Sequence, residues 1–165
     1  MRALAIWTAL LLALLAAGCG GGKRTISAGG VRVDVPGGWH LVAPAQVVDD
    51  PRTLLVVGTS GAKAAQDQGC EIAAYHVPAG GAVVVIVGWQ SSSTAGGPFP
   101  KGRASLHRLV RVTRPSFECF SGRGAATDLA LAGKPYQVNV LVGNSASKHQ
   151  VDEALAVARS FDLAH

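Results

Sequence analysis

Residues Val83-Val84-Val85-Ile86-Val87 are consecutive branched apolar side chains, and they limit the architecture more than any other stretch of the chain. Successive side chains of a strand point to opposite faces, so a strand of this composition is apolar on both. It belongs at a buried, central position in a sheet. Its flanks agree: Pro78-Ala79-Gly80-Gly81 is a turn signal, so Cys70 to Val77 and Val83 to Trp89 read as two strands joined there.

Other strands follow from alternation. Val31-Arg32-Val33-Asp34-Val35 alternates apolar and polar, stops at Pro36-Gly37-Gly38 and resumes at Trp39-His40-Leu41-Val42, which predicts strand, turn and strand. Leu54-Leu55-Val56-Val57 is a short apolar run ending in Gly58-Thr59-Ser60-Gly61. Phe117 to Phe120, Thr127 to Leu131 and Tyr136 to Val142 read as further strands, the last with Tyr136, Val138, Val140 and Val142 on one face. The Ser, Thr, Gly and Pro of Gln90 to Gly102 predict a mobile loop.

Near the C-terminus the period changes. Val151, Ala154, Leu155, Ala158 and Phe161 fall at helical spacing, with Asp152, Glu153 and Arg159 facing away. Ser147, three residues before Gln150, makes a capping-box start. The expected fold is α+β: a single domain over residues 26–165, mostly antiparallel β-sheet packed by a C-terminal α-helix. There is no internal repeat and no sign of a second domain.

The first residues read as an address. Met1 and Arg2 make a positive start, and Ala3 to Ala17 carries no charge. A spanning helix needs about 20 apolar residues, and this stretch ends sooner, in Gly-Cys-Gly-Gly-Gly, as a signal peptide does. Leu15-Ala16-Ala17-Gly18-Cys19 resembles the lipobox of bacterial lipoproteins, with Ala16 where that signal prefers Leu. The resemblance implies a signal peptide over residues 1–18, cleavage before Cys19 and acyl chains on that cysteine. It also implies a flexible tether over residues 19–25 and an envelope protein held on the extracytoplasmic side of the cell membrane or outer membrane. Several acyl chains, at about 0.8 kcal/mol per buried CH₂, make such an anchor durable. The alternative is an ordinary signal peptide and a protein released in soluble form.

The stretch Val31 to Trp39, with its Pro-Gly-Gly-Trp turn, and the closing strand and helix from Tyr136 to Phe161 resemble small secreted α+β proteins of the PsbP/Mog1 type. That resemblance implies an accessory or binding role rather than catalysis, and it carries no functional motif onto this chain.

With Cys19 taken by lipid, Cys70 and Cys119 remain in a compartment that permits oxidation, and a disulfide between them is expected. The competing reading is a pair of free or reactive thiols. Neither cysteine belongs to a C-x-x-C motif or adjoins a histidine, so nothing nearby argues for an activated thiolate. Removal of residues 1–18 takes away Arg2 and no acid, lowering the formal charge from +5 to +4. A mild surplus of this size does not mark a nucleic-acid binder, and no nucleic-acid partner is expected.

Chemistry-bearing motifs are sparse. His40, His76, His107 and His149 fall in separate elements and His165 is terminal, without the spacing of a zinc site. Gly58-Thr59-Ser60-Gly61-Ala62 fails the G-x-S-x-G pattern at Ala62 and reads as a turn. Gly97 and Gly102 are followed by Arg103 rather than Lys-Ser or Lys-Thr, so they do not form a phosphate loop. Asp49-Asp50 before Pro51 starts a turn. No catalytic, metal or cofactor residue is nominated.

One charge run stands apart. Lys101, Arg103, Arg108, Arg111 and Arg114 place +5 within fourteen residues without an acid. If residues 103–114 are helical, Arg103, His107, Arg111 and Arg114 share one face and Leu106, Leu109 and Val110 another; if they form a strand, the cations split between faces. The sequence leaves both open. The functional reading is a patch for an anionic surface, and the plainer one a solvated face. Two classes of function therefore stand. The first is a non-catalytic envelope module that binds an envelope protein, anionic lipid or wall polymer through a sheet face or the Gln90 to Gly102 loop. The second is a small envelope hydrolase or thiol-redox protein whose site assembles only in three dimensions.

Overall fold

The computed structural model describes residues 22–45, 50–65, 74–91, 93–114, 120 and 122–165. In chain order these form β1 (Arg24–Ala28), β2 (Val31–Val35), β3 (Trp39–Leu41), β4 (Arg52–Thr59), β5 (Lys63–Ala64), β6 (Tyr75–His76) and β7 (Ala82–Gly88). After them come α1 (Ala104–His107), β8 (Arg123–Leu131), β9 (Lys134–Val142), α2 (Lys148–Arg159) and β10 (Asp162–Leu163).

The Val-rich strand lies where its composition demands. β7 is the third strand of an antiparallel sheet in the order β3-β4-β7-β9-β8, and residues 82–87 are fully buried. Its alternation feeds two cores. Ala82, Val84 and Ile86 enter one with Leu55, Val57, Tyr136, Val138, Val140 and Val142; Val83, Val85 and Val87 enter the other with Val56 and Leu141. Burying one such side chain stabilises the fold by about 1.5–3 kcal/mol, so this strand contributes to both cores at once.

The first core is completed by Val31, Val33 and Val35 of β2, by Ala154, Leu155, Val157 and Ala158 of α2, and by Phe161. The Tyr136 and Phe161 rings sit 5.4 Å apart in a tilted contact. Helix α2 starts as expected, with Ser147 and Gln150 forming a reciprocal capping box. The second core is closed by Val42, Ala62 and Tyr75, with Ala45, Ala64, Val77 and Phe120 packed against it. Burial pushes the Tyr75 hydroxyl pKa up, even though the Ala45 N–H donates to its oxygen at 3.1 Å.

The small sheet β1-β2-β10 was only half legible. The strand-turn-strand reading of residues 31–42 holds, but β2 and β3 join different sheets, so Pro36-Gly37-Gly38 carries the chain from one to the other. β1 overlaps the expected tether at its first two residues. It begins at Arg24, and Arg24 and Thr25, expected within the tether of residues 19–25, lie opposite Val35 and Asp34. The Gly29-Gly30 loop explains the pairing: both residues have positive φ (59° and 80°), the geometry of a two-residue hairpin turn.

Two further expectations change. The loop of Gln90 to Gly102 is fastened at its far end, where the Ala130 N–H donates to the Pro100 carbonyl and the Gly102 N–H to the Ala130 carbonyl. Residues 103–114 are neither one helix nor one strand: α1 covers 104–107, and Arg114 forms an isolated bridge with Gly124. Of the remaining strand readings, Tyr75 and His76 form β6, whereas residues 70–73 and 117–119 lie outside the described residues.

Candidate functional site

β8 is an edge strand, and an open edge exposes unpaired N–H and C=O groups. The basic segment covers it. It is held to β8 at both ends, by Pro100 and Gly102 around Ala130 and by reciprocal N–H to carbonyl bonds of 2.9 Å between Arg114 and Gly124. Between these fastenings α1 drives Leu106, with Leu109 just after it, into the first core, and Val112 packs against that core. Lys101, His107, Arg108, Val110, Arg111, Thr113 and Arg114 remain exposed. The alternation is sharpest where the Val110 N–H donates to the Arg108 carbonyl at 2.9 Å, a tight turn that sends Leu109 inward and its two neighbours outward.

A clamp from the C-terminus fixes this shape. Arg103 Nη1 lies 2.6 Å from Asp162 Oδ2, and its Nη2 donates to the Arg159 carbonyl at 3.2 Å. Arg159 Nη1 donates to the Leu109 carbonyl at 2.8 Å, and Arg32 stands 3.6 Å from the same Asp162 oxygen. Partial burial disfavours the Asp162 carboxylate, but the Leu163 N–H and the Arg103 and Arg32 guanidiniums outweigh it and hold its pKa below the ordinary value. Arg159, expected to face solvent, thus ties the end of α2 to the basic segment.

Of the cations nominated from sequence, Arg103 is drawn into the clamp. Lys101, Arg108, Arg111 and Arg114 point outward. Arg123 joins them: it is exposed and directly precedes Gly124, the partner of Arg114. Sequence reasoning left Arg123 out because eight residues separate it from the run; only the bridge to β8 brings it near. Among the described residues, no carboxylate lies within 4 Å of Lys101, Arg108 or Arg111. Val110 is 60 % exposed in their midst, and among the described residues only Leu41 is a comparably exposed large apolar side chain. Such a surface attracts anions through several cations around one apolar tip.

The histidines stay apart. His40 Nε2 is 3.3 Å from the Ala62 carbonyl oxygen, His76 is exposed on β6, His107 is exposed at the end of α1, and His149 Nδ1 is 3.8 Å from Glu153 Oε2. His165 is exposed at the terminus. Among the described residues no three His, Cys, Asp or Glu side chains gather as a metal-binding group. Ser60 lies in a turn closed by the Ala62 N–H donating to the Thr59 carbonyl, as its sequence suggests. Cys19, Cys70 and Cys119 lie outside the described residues, and with them the lipidation and disulfide expectations. No family model matches the chain, and no curated protein matches it.

Proposed function

We propose that the protein is a bacterial envelope lipoprotein, anchored through Cys19 on the extracytoplasmic side of a membrane, and that it works as a non-catalytic binding or accessory module. In this reading residues 26–165 are a single domain of the PsbP/Mog1 kind, with the C-terminal helix closing one sheet face.

The observation that supports it is the spacing between the lipobox and the fold. β1 begins at Arg24, five residues after Cys19. A fully extended chain spans at most about 3.6 Å per residue, so lipid on Cys19 would hold the start of β1 within roughly 18 Å of the bilayer. A domain kept that close works at the membrane surface.

The intact mass of the protein recovered from membranes of an expressing bacterium tests the anchor. The expected mass begins at Cys19 and includes its acyl chains. A soluble product of unmodified mass overturns the reading.

A further inference from the structure

We propose that the outward face of residues 101–114, extended by Arg123, is a docking surface for anionic lipid headgroups in the leaflet that carries the anchor. The inference rests on the lipoprotein reading for its geometry, though not for its test.

Charge makes the first part of the case. Lys101, Arg108, Arg111 and Arg114 are exposed on the segment bridged to β8 at Ala130 and Gly124, and Arg123 is exposed beside Gly124. Asp162, an acid reached by the segment's Arg103, is engaged by Arg103 and Arg32, and among the described residues no carboxylate lies within 4 Å of Lys101, Arg108 or Arg111. Each cation near an anionic membrane surface contributes about 1 kcal/mol, so such a group adds usefully to an anchor.

Val110 identifies the kind of anion. A hydrated wall polymer offers a 60 % exposed valine no apolar environment, whereas a bilayer has one just below its headgroups. Arg108 and Arg111 flank Val110 and can hold phosphates while their stems lie along the acyl boundary.

The position of the anchor makes the third part. Thr25 Oγ1, one residue into β1, donates to Asp34 Oδ1 at 2.7 Å, and the Asp34 N–H donates to Ser160 Oγ at 2.8 Å. The next residue back, Arg159, donates to the Leu109 carbonyl. A short series of contacts, part side chain and part backbone, thus links the point where the tether would leave the fold to the turn that presents Val110. Lipid on Cys19 would bring this surface to the headgroups.

The test uses the full chain carrying Cys19→Ala, recovered from the expressing bacterium and therefore without lipid on residue 19. Flotation is measured with millimolar vesicles of phosphatidylcholine alone or with about one third phosphatidylglycerol, at low and high salt. Binding to phosphatidylcholine alone measures any contribution from a retained leader. We expect additional binding on phosphatidylglycerol vesicles that disappears at high salt. It should fall about 25-fold in Arg108→Gln/Arg111→Gln, at about five-fold per cation, and several-fold in Val110→Asn, with the melting curves of all variants unchanged. Equal binding to both vesicles, no binding to either, or an undiminished double variant would overturn the proposal. Retention on soluble polyphosphate without vesicle binding would overturn it in favour of a wall polymer. The mass measurement on the wild-type chain decides the anchor separately, so either idea can fail alone.

Discussion

Gly143 follows β9 directly, against the turn that precedes β7. Its N–H donates to the Gly81 carbonyl, and a Cβ there would overlap the carbonyl oxygens of Pro78 and Ala79. Backbone cannot yield as a flexible side chain does, so Gly143→Ala should destabilise the protein by about 1–3 kcal/mol, lowering the melting midpoint by about 4–10 °C. A midpoint within 1 °C of wild type would show that the turn can move aside. Asp162 invites a pH experiment. Its pKa is held below the ordinary value, so its contribution is complete above the unfolded-state pKa, about 4, and disappears as pH falls through the lower folded value. Asp162→Asn should therefore cost about 1 kcal/mol at pH 7, the scale of partly exposed pairs. Wild type and variant should begin to converge below about pH 4 in denaturant titrations and meet once the pH is below the folded-state pKa; a gap that does not narrow over that range would mean packing, not charge, explains the loss. Capping by Ser147 and Gln150 could be read from the sequence because partners three residues apart announce themselves. The partnership of Arg159 with Leu109 could not, because fifty residues separate them.

Elements were legible to the degree that their reasons are local. β7, β9 and α2 carry their periods in unbroken form, and the alternations of Val83 to Val87 and Tyr136 to Val142 place each side chain on the face expected. β1 has a weaker pattern, Arg-Thr-Ile-Ser-Ala, and the signal that could have found it is the Gly29-Gly30 pair between two extended runs. Residues 103–114 could not be assigned because β-branched residues compete there with helix formers, and attachment to the β8 edge settles the outcome. The same reasoning bears on the cysteines. Ala64 and Tyr75, which bracket Cys70 in the chain, and Phe120, which follows Cys119, all pack in the second core. We propose a Cys70–Cys119 disulfide, the pairing left once Cys19 carries lipid. Closing a loop of about 50 residues stabilises by about 4 kcal/mol on the chain-entropy model, so reduction should lower the midpoint by on the order of 10 °C. Alkylation of both thiols before reduction would refute the bond.

On the scale of the molecule, both cores share β7, β4 and β9, so neither can open without exposing the other's strands. Unfolding should therefore be a single cooperative transition. Trp39 is buried in the first core, and Trp89 is half-buried just after β7, its backbone N–H donating to the Pro135 carbonyl. Trp89→Phe and Trp39→Phe variants, each leaving one of these reporters, should give fluorescence midpoints that coincide with circular dichroism. Separate midpoints would mean that the domain does not unfold as one unit. Periodicity by itself determined that the chain holds a doubly buried strand, alternating strands around it and a C-terminal amphipathic helix, because faces are set by residues two to four positions apart. The proposed lipobox signal likewise spans only five consecutive residues. Only the tertiary structure decided that Arg103 turns inward while Arg108, Val110 and Arg111 turn outward, and that Arg123 stands beside Arg114. Those outcomes depend on an edge strand to be covered and on Asp162 and Arg159 arriving from the C-terminus, and no local pattern encodes which distant groups will meet.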